Sequence, residues 1–317
     1  MDKIPEFALD GFLNVLKPPG LTSHDVVSSL RRILKTKKIG HAGTLDPGAA
    51  GVLPIAAGRA TRFIEYLAAA GKSYRAELLF GVETDSGDDT GRVVNRAAEG
   101  WEFPSREKIL AGINSLTGRI TQVPPVYSAV KIGGRRAADL ARENKAVVIP
   151  SRQGEIYRFD LLGSDRERKT LLLDVDCSKG TYIRSLCTDL GRALGIPATM
   201  SFLVRTRVGD FPLREAVSLE ELTDTAEKDF TALPVLPPGK YLGHFPRYDL
   251  TAARKKAFTN GLSTRDASYA LRLREAGMMK GEEESLLLTV WCEGRFCGIG
   301  RFDGAKESIY PEKLYIW

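Results

Sequence analysis

The segment "LPVLPPGK", residues 233–240, places three prolines among eight residues. Proline fixes φ and carries no amide hydrogen, so neither a helix interior nor a central strand runs through such a stretch. The chain must break there, and clustered proline reads as a semi-rigid spacer between domains. It divides the 317 residues into a long part, 1–235, able to bury a sizeable core, and a short part, 240–317. In the short part, "SLLLTVWCEGRFCGIGRF" reads as a β-hairpin about Glu293-Gly294, two apolar runs joined at a glycine turn. A small, mostly-β second domain is the expectation.

In the long part, "FLNVL" (12–16) reads as a buried strand, ended by "KPPG". Thr22-x-x-Asp25 resembles a capping box, and Val26, Val27, Leu30, Ile33 and Leu34 behind it form one helical stripe. "GVLPIAAG", "SYRAELLFG" and "TLLLDVDCSKG" read as strands. "RATRFIEYLAAA", "SREKILAGINSLTG" and "TYIRSLCTDLGRALG" read as helices, the last with Ile183, Leu186, Leu190 and Leu194 on one face. Residues 122–155 mix Pro, Gly and basic residues around a short helix, and read as an excursion from the main sheet.

Charge narrows the partners. The formal net charge is +6, which favours polyanions. Residues 240–317 carry 13 Lys+Arg against 10 Asp+Glu, and the preceding 239 carry 33 against 30. The tail is thus about three times as positive per residue. "RRILKTKK" (31–38) adds five basic residues in eight. No apolar run reaches the length of about 18 residues that spans a membrane, and the first residues lack the apolar core of a signal peptide. Cys177, Cys187, Cys292 and Cys297 have no spacing suited to zinc or a disulfide framework, and His24, His41 and His244 lie far apart. The expectation is a reduced, cytoplasmic protein with no metal centre and no membrane contact. No GxxxxGK[ST] loop, strand-linked GxGxxG or Gly-x-Ser-x-Gly elbow appears, so nucleotide cofactors have no obvious cradle.

What remains is "GHAGTLDPGAAG" (40–51), one carboxylate in a glycine-rich segment, with Tyr74 opening a strand and "SKGTYIRSL" carrying a Lys, a Tyr and an Arg. Turn chemistry alone accounts for Leu45-Asp46-Pro47-Gly48. Seven motifs in register say more. "NVLKPPGLTSHDVV", "GHAGTLDPGAAGVLPIAAGRATR", "KSYR", "TDSGDDTG", "YSAVK", "CSKGTYIRSLCTDLGRALG" and "FLVRTRVGDF" together resemble the TruB family of bacterial tRNA pseudouridine synthases, over roughly residues 11 to 215.

The resemblance implies an α+β fold: a mixed β-sheet core with flanking helices, an RNA-gripping insertion at about 122–155, and a PUA-like C-terminal domain. It implies isomerisation of one T-loop uridine of tRNA (position 55 in tRNA nomenclature) to pseudouridine, without cofactor or metal. Asp46 takes the place of the catalytic aspartate, and Arg184 that of its guanidinium partner, which opposes the rise in pKa that burial brings. Tyr74 matches the tyrosine against the uracil, placed to move the C5 proton, and Leu203 an apolar wall. His41 matches the histidine that fills the space of the extruded base, while Gly40, Ala42 and Gly43 leave room for RNA backbone. Tyr182 joins them as a substrate contact. Lys17, Arg62, Lys131, Lys179 and Arg205 are candidates for phosphate or structural contacts. Two places depart from the family pattern: Ala138 replaces an aromatic after "GGRR", and "PSRQGEIY" replaces an Arg-x-Val-x-Ile pattern. The implied partner is tRNA, by its T-arm and its acceptor stem, with no obligatory protein partner. A tRNA-folding protein without essential catalysis and a guide-RNA-dependent isomerase are the competing readings.

Overall fold

The computed structural model describes residues 9–128, 130–143, 148–279, 281 and 284–315. Among these, one sheet runs in the order Gly11–Lys17, Ala50–Ala57, Ala198–Val208, Lys72–Phe80, Thr170–Cys177, Arg152–Asp165, Gly118–Gln122. Neighbours are antiparallel except Ala50–Ala57 and Ala198–Val208, which run parallel through Val204↔Ala50 and Arg205↔Gly51. The sheet is mixed, and helices flank it.

Period-two alternation decides what faces inward. Along Lys72–Phe80 the buried apolar side chains are Tyr74, Ala76, Leu78 and Phe80, and they join Leu171, Leu173 and Val175 of the adjacent strand. Helices Arg106–Ser115 and Ile183–Ala193 cover this core with Ile109, Ile113, Leu186 and Leu190. A second core forms where Val26, Val27 and Leu30 of helix Ser23–Ile33 meet Leu13, Val15, Leu53 and Ile55. That helix starts as its sequence dictates: the Thr22 hydroxyl accepts the Asp25 amide at 3.0 Å, and the Asp25 carboxylate accepts the Thr22 amide at 2.9 Å.

The C-terminal region forms its own sheet, ordered Arg247–Leu250, Ser285–Cys292, Arg295–Asp303, Ser308–Leu314, Thr264–Arg265. Its hairpin turns at Glu293 (φ 51°) and Gly294 (φ 74°), the left-handed pair that a two-residue hairpin favours. Helices Ala252–Thr259 and Ala267–Glu275 also belong to it, more helix than the sequence reading gave. An aromatic seam joins this sheet to the first. Phe63 packs edge-on to Phe296 and Tyr315 at 5.5 and 6.0 Å, and Trp291 meets Phe296 at 5.6 Å. The Tyr315 hydroxyl donates to the Asp10 carbonyl at 2.7 Å, and Lys313 pairs with Glu65.

Three sequence expectations change. Residues 233–240 are not a spacer: Leu236 exchanges backbone bonds with Phe12 at 2.7 and 2.8 Å, and Pro238–Leu242 is a buried 3-10 turn. Proline there simply lacks a donor at a sheet edge that needs none. The excursion is shorter than 122–155, because Gln122 pairs with Arg152 inside the main sheet. Helix "RATRFIEYLAAA" is a 3-10 turn, Gly58–Phe63, followed by a short α-helix, Ile64–Ala68.

Gly51 sits at the parallel junction with φ 112°, and a Cβ there would lie 2.3 Å from the Arg205 carbonyl oxygen. Left-handed strain and a backbone collision act together, so Gly51→Ala should lose at least about 2 kcal/mol, read as a lowered urea midpoint.

Candidate active site

Asp46 stands on residues 42–49, between strands Ile39–His41 and Ala50–Ala57. Such a loop has little side-chain bulk to hold it, so buried donors hold its backbone. Lys17, fully buried, donates from Nζ to the carbonyls of Pro18, Pro47 and Ala49 at 2.9, 3.1 and 2.6 Å. Arg205, 1 % exposed, donates to the carbonyls of Val52, Gly43 and Thr44 at 2.7, 3.1 and 3.4 Å. Ser23 exchanges bonds with the amide and carbonyl of Leu45 at 2.9 and 3.2 Å.

Arg184, one residue into helix Ile183–Ala193, supplies the charge partner. Its Nε lies 3.0 Å from Asp46 Oδ2 and its Nη2 donates to Oδ1 at 3.2 Å. Nη2 also donates to the Tyr127 carbonyl at 2.8 Å, and Nη1 to the Ser86 carbonyl at 2.9 Å, with Asp88 Oδ2 at 3.6 Å. Two carboxylates therefore share one guanidinium that is almost wholly buried.

The balance of charge and burial is uneven. Burial raises the Asp46 pKa above its ordinary value, and Asp88 adds to the rise; Arg184 and Lys17 oppose it without reversing it. The expected hold of the guanidinium on the ionised form is thus real but outweighed in the free protein. Burial likewise pushes Lys17 and Lys72 down to about 8, lowers His41, and raises the Tyr74 phenol.

Asp46 and Arg184 border two cavities. The inner one, about 290 Å³, is lined by Tyr74, Leu203, Arg205, Lys72 and Tyr182 among others. The outer one, about 860 Å³, is lined by His24, His41, Asp85, Asp88, Tyr127 and others. Ser128 borders both. The geometry offers an ionisable oxygen pair at the threshold between a small pocket and a broad cleft, suited to nucleophilic work on one part of a larger ligand.

Residues 31–183 match the family model described as TruB family pseudouridylate synthase (N terminal domain), and 184–236 match tRNA pseudouridylate synthase B C-terminal domain. The relative from Moorella thermoacetica is 48% identical over 289 residues, 88% of this chain and 92% of its own. This chain belongs to the TruB family. It is a pseudouridine synthase, an isomerase. The relative from Caldanaerobacter subterraneus subsp. tengcongensis is 40% identical over 97% of this chain and 100% of its own. That from Limosilactobacillus reuteri is 43% identical over 97% and 99%. All three are called tRNA pseudouridine synthase B. Among solved structures, a Cbf5-Nop10-Gar1 complex matches with TM-score 0.72 and 26% identity, covering 98% of this chain and 86% of that one. An H/ACA RNP bound to a substrate RNA containing 2'-deoxyuridine matches in fold, with TM-score 0.72 and 24% identity over 99% and 88%.

Of the residues singled out for a TruB site, Asp46, Tyr74, Tyr182, Arg184, Leu203 and Arg205 converge on the inner cavity, and His41 lies on the outer cleft. Lys17 and Arg205 turn to loop carbonyls, the structural member of their two candidate roles. Arg62 is exposed and donates to the Leu314 carbonyl at 3.1 Å, and Lys179 is exposed beside Gly180. Lys131 opens the strand Lys131–Ile132, and its side chain, like that of Ala138, lies outside the described residues. Lys72, Ser86, Asp88, Tyr127 and Ser128 were missed. All but Lys72 sit in "TDSGDDTG" or "YSAVK", whose loops say nothing of where they fold to.

Titrating aspartate carbons by NMR should find Asp46 above the usual value of about 3.9. Arg184→Gln should move it higher still, since its opposing charge is removed, and Asp88→Asn should move it lower.

Proposed function

We propose that this chain converts one uridine of tRNA, in the T-loop at position 55, into pseudouridine, with Asp46 as nucleophile. The observation that carries the reading is the Asp46 carboxylate, held by Arg184 at the mouth of a pocket lined by Tyr74 and Leu203. The isomerisation breaks N1–C1′ and forms C5–C1′; C5 loses a proton and N1 gains one. Nothing is oxidised and no group is added, so side chains suffice and no cofactor is required. The nucleophile splits one hard step into two. Asp46 attacks ionised, Tyr74 and Leu203 flank the base, Tyr182 adds a contact, and Tyr74 is placed to move the C5 proton. Extruding the base costs a few kcal/mol of stacking, offset as His41, neutral at pH 7 by burial, fills the vacated space.

The catalytic domain is taken as 1–235 and a PUA-like RNA-binding domain as 240–317. The insertion grips the T-arm, and the basic C-terminal part meets the acceptor stem. Lys131, Lys179 and Arg62 are left for phosphates, and no protein partner is required. The names of the curated relatives support tRNA as the substrate.

Unmodified tRNA transcript treated with the purified chain should gain pseudouridine at one T-loop site, and Asp46→Ala should abolish it. A wild-type rate in Asp46→Ala would remove the assignment. Affinity should fall with salt by a log–log slope of roughly −0.7 per single-strand phosphate neutralised, and a flat salt response would remove the electrostatic docking.

A further inference from the structure

Lys72 opens the central strand, two residues before Tyr74 on the same inward face. It is 8 % exposed and lines the inner cavity. Its Nζ donates to the carbonyls of Ala68 and Ala70 at 3.1 and 2.9 Å, which leaves one of three ammonium hydrogens. Arg205 lies alongside: a Cβ on Gly43 would sit 3.6 Å from Arg205 Nη1 and 3.7 Å from Lys72 Cε. Around Lys72 stand the cations Arg205 and Lys179 and the Cys177 thiol, which burial pushes up to about 11 and so keeps protonated. Among the described residues neither Lys72 nor Arg205 forms an ion pair with a carboxylate. Two buried cations side by side, with the one carboxylate of the cavity, Asp46, already paired to Arg184, cost stability, and a pocket that retains them favours further negative charge.

That charge arises in the reaction itself, on the proposed reading of this cavity as the base pocket. If Asp46 attacks the sugar, the N1–C1′ electron pair stays on the base and spreads to O2 and O4. If Asp46 adds to the base at C6, the displaced π pair reaches O4 as an enolate. Either route loads a uracil carbonyl oxygen, and the load disappears once C5 has bonded to C1′ and lost its proton.

We propose that Lys72 is a catalytic residue: its ammonium, backed by Arg205, donates to a uracil carbonyl oxygen and stabilises the negative charge that the base acquires. Burial brings Lys72 to about 8, so it remains mostly charged at pH 7. A donor aimed at developing charge in a dry site acts on the rate rather than on substrate affinity.

The test compares Lys72→Met and Lys72→Gln by single-turnover pseudouridine formation and by filter binding of tRNA. Both should slow the rate constant about 100-fold, with tRNA affinity within about threefold of wild type. Glutamine keeps a donor for the Ala68 and Ala70 carbonyls but no charge, so it should restore folding without restoring rate; if the methionine variant fails to fold, glutamine decides. A Lys72→Gln rate within about threefold of wild type, or an affinity loss equal to the rate loss, overturns the proposal. Asp46→Ala run in parallel separates the two readings. An inactive Asp46→Ala beside a fast Lys72→Gln sinks only the role of Lys72, whereas an active Asp46→Ala sinks the base-pocket reading beneath it.

Discussion

The guanidinium of Arg184 is the contact on which the site depends. It binds the Asp46 loop, the Ser86–Asp88 turn and the Tyr127 carbonyl at once, three segments far apart in the chain. Its planar fork presents five hydrogens in fixed directions, which an ammonium does not. Because Asp88 shares it, Asp46 receives less than a full counter-charge while burial works against its ionised form. The carboxylate is held in place without being made inert.

Positive charge serves as internal scaffolding elsewhere too. Lys17 and Arg205 end on carbonyls rather than on carboxylates, and so a loop too glycine-rich to pack its own backbone acquires a fixed shape. Part of the chain's formal basicity therefore lies inside, and the field presented to a polyanion comes from residues such as Lys179 and the helix end at 31–38, which stay exposed.

Local features were legible from sequence because their physics is local: the Thr22 capping box, the Glu293-Gly294 turn and the apolar stripes of the helices. Strand order was not, since the parallel pairing of Ala50–Ala57 with Ala198–Val208 joins segments far apart in the chain. The strand Arg152–Asp165 has mostly exposed side chains and so little apolar alternation to read. Arg205 and Lys72 show a signal that could have been used. Each lies two residues from an inward-facing neighbour, Leu203 and Tyr74, and period-two alternation turns a charged residue inward as readily as an apolar one. Lys17 follows Leu13 and Val15 by the same rule. The outer-cleft residues carry no such periodicity, and only the folded geometry brings them to Asp46.

The aromatic seam of Phe63, Phe296, Tyr315 and Trp291 has a consequence for selection. With rings interlocked and the edge strand tied through Leu236, the two sheets are fixed like the jaws of a set caliper. A ligand touching both must already possess the matching span. On the proposed function, discrimination then works as gauging, by the overall dimensions of a folded polymer.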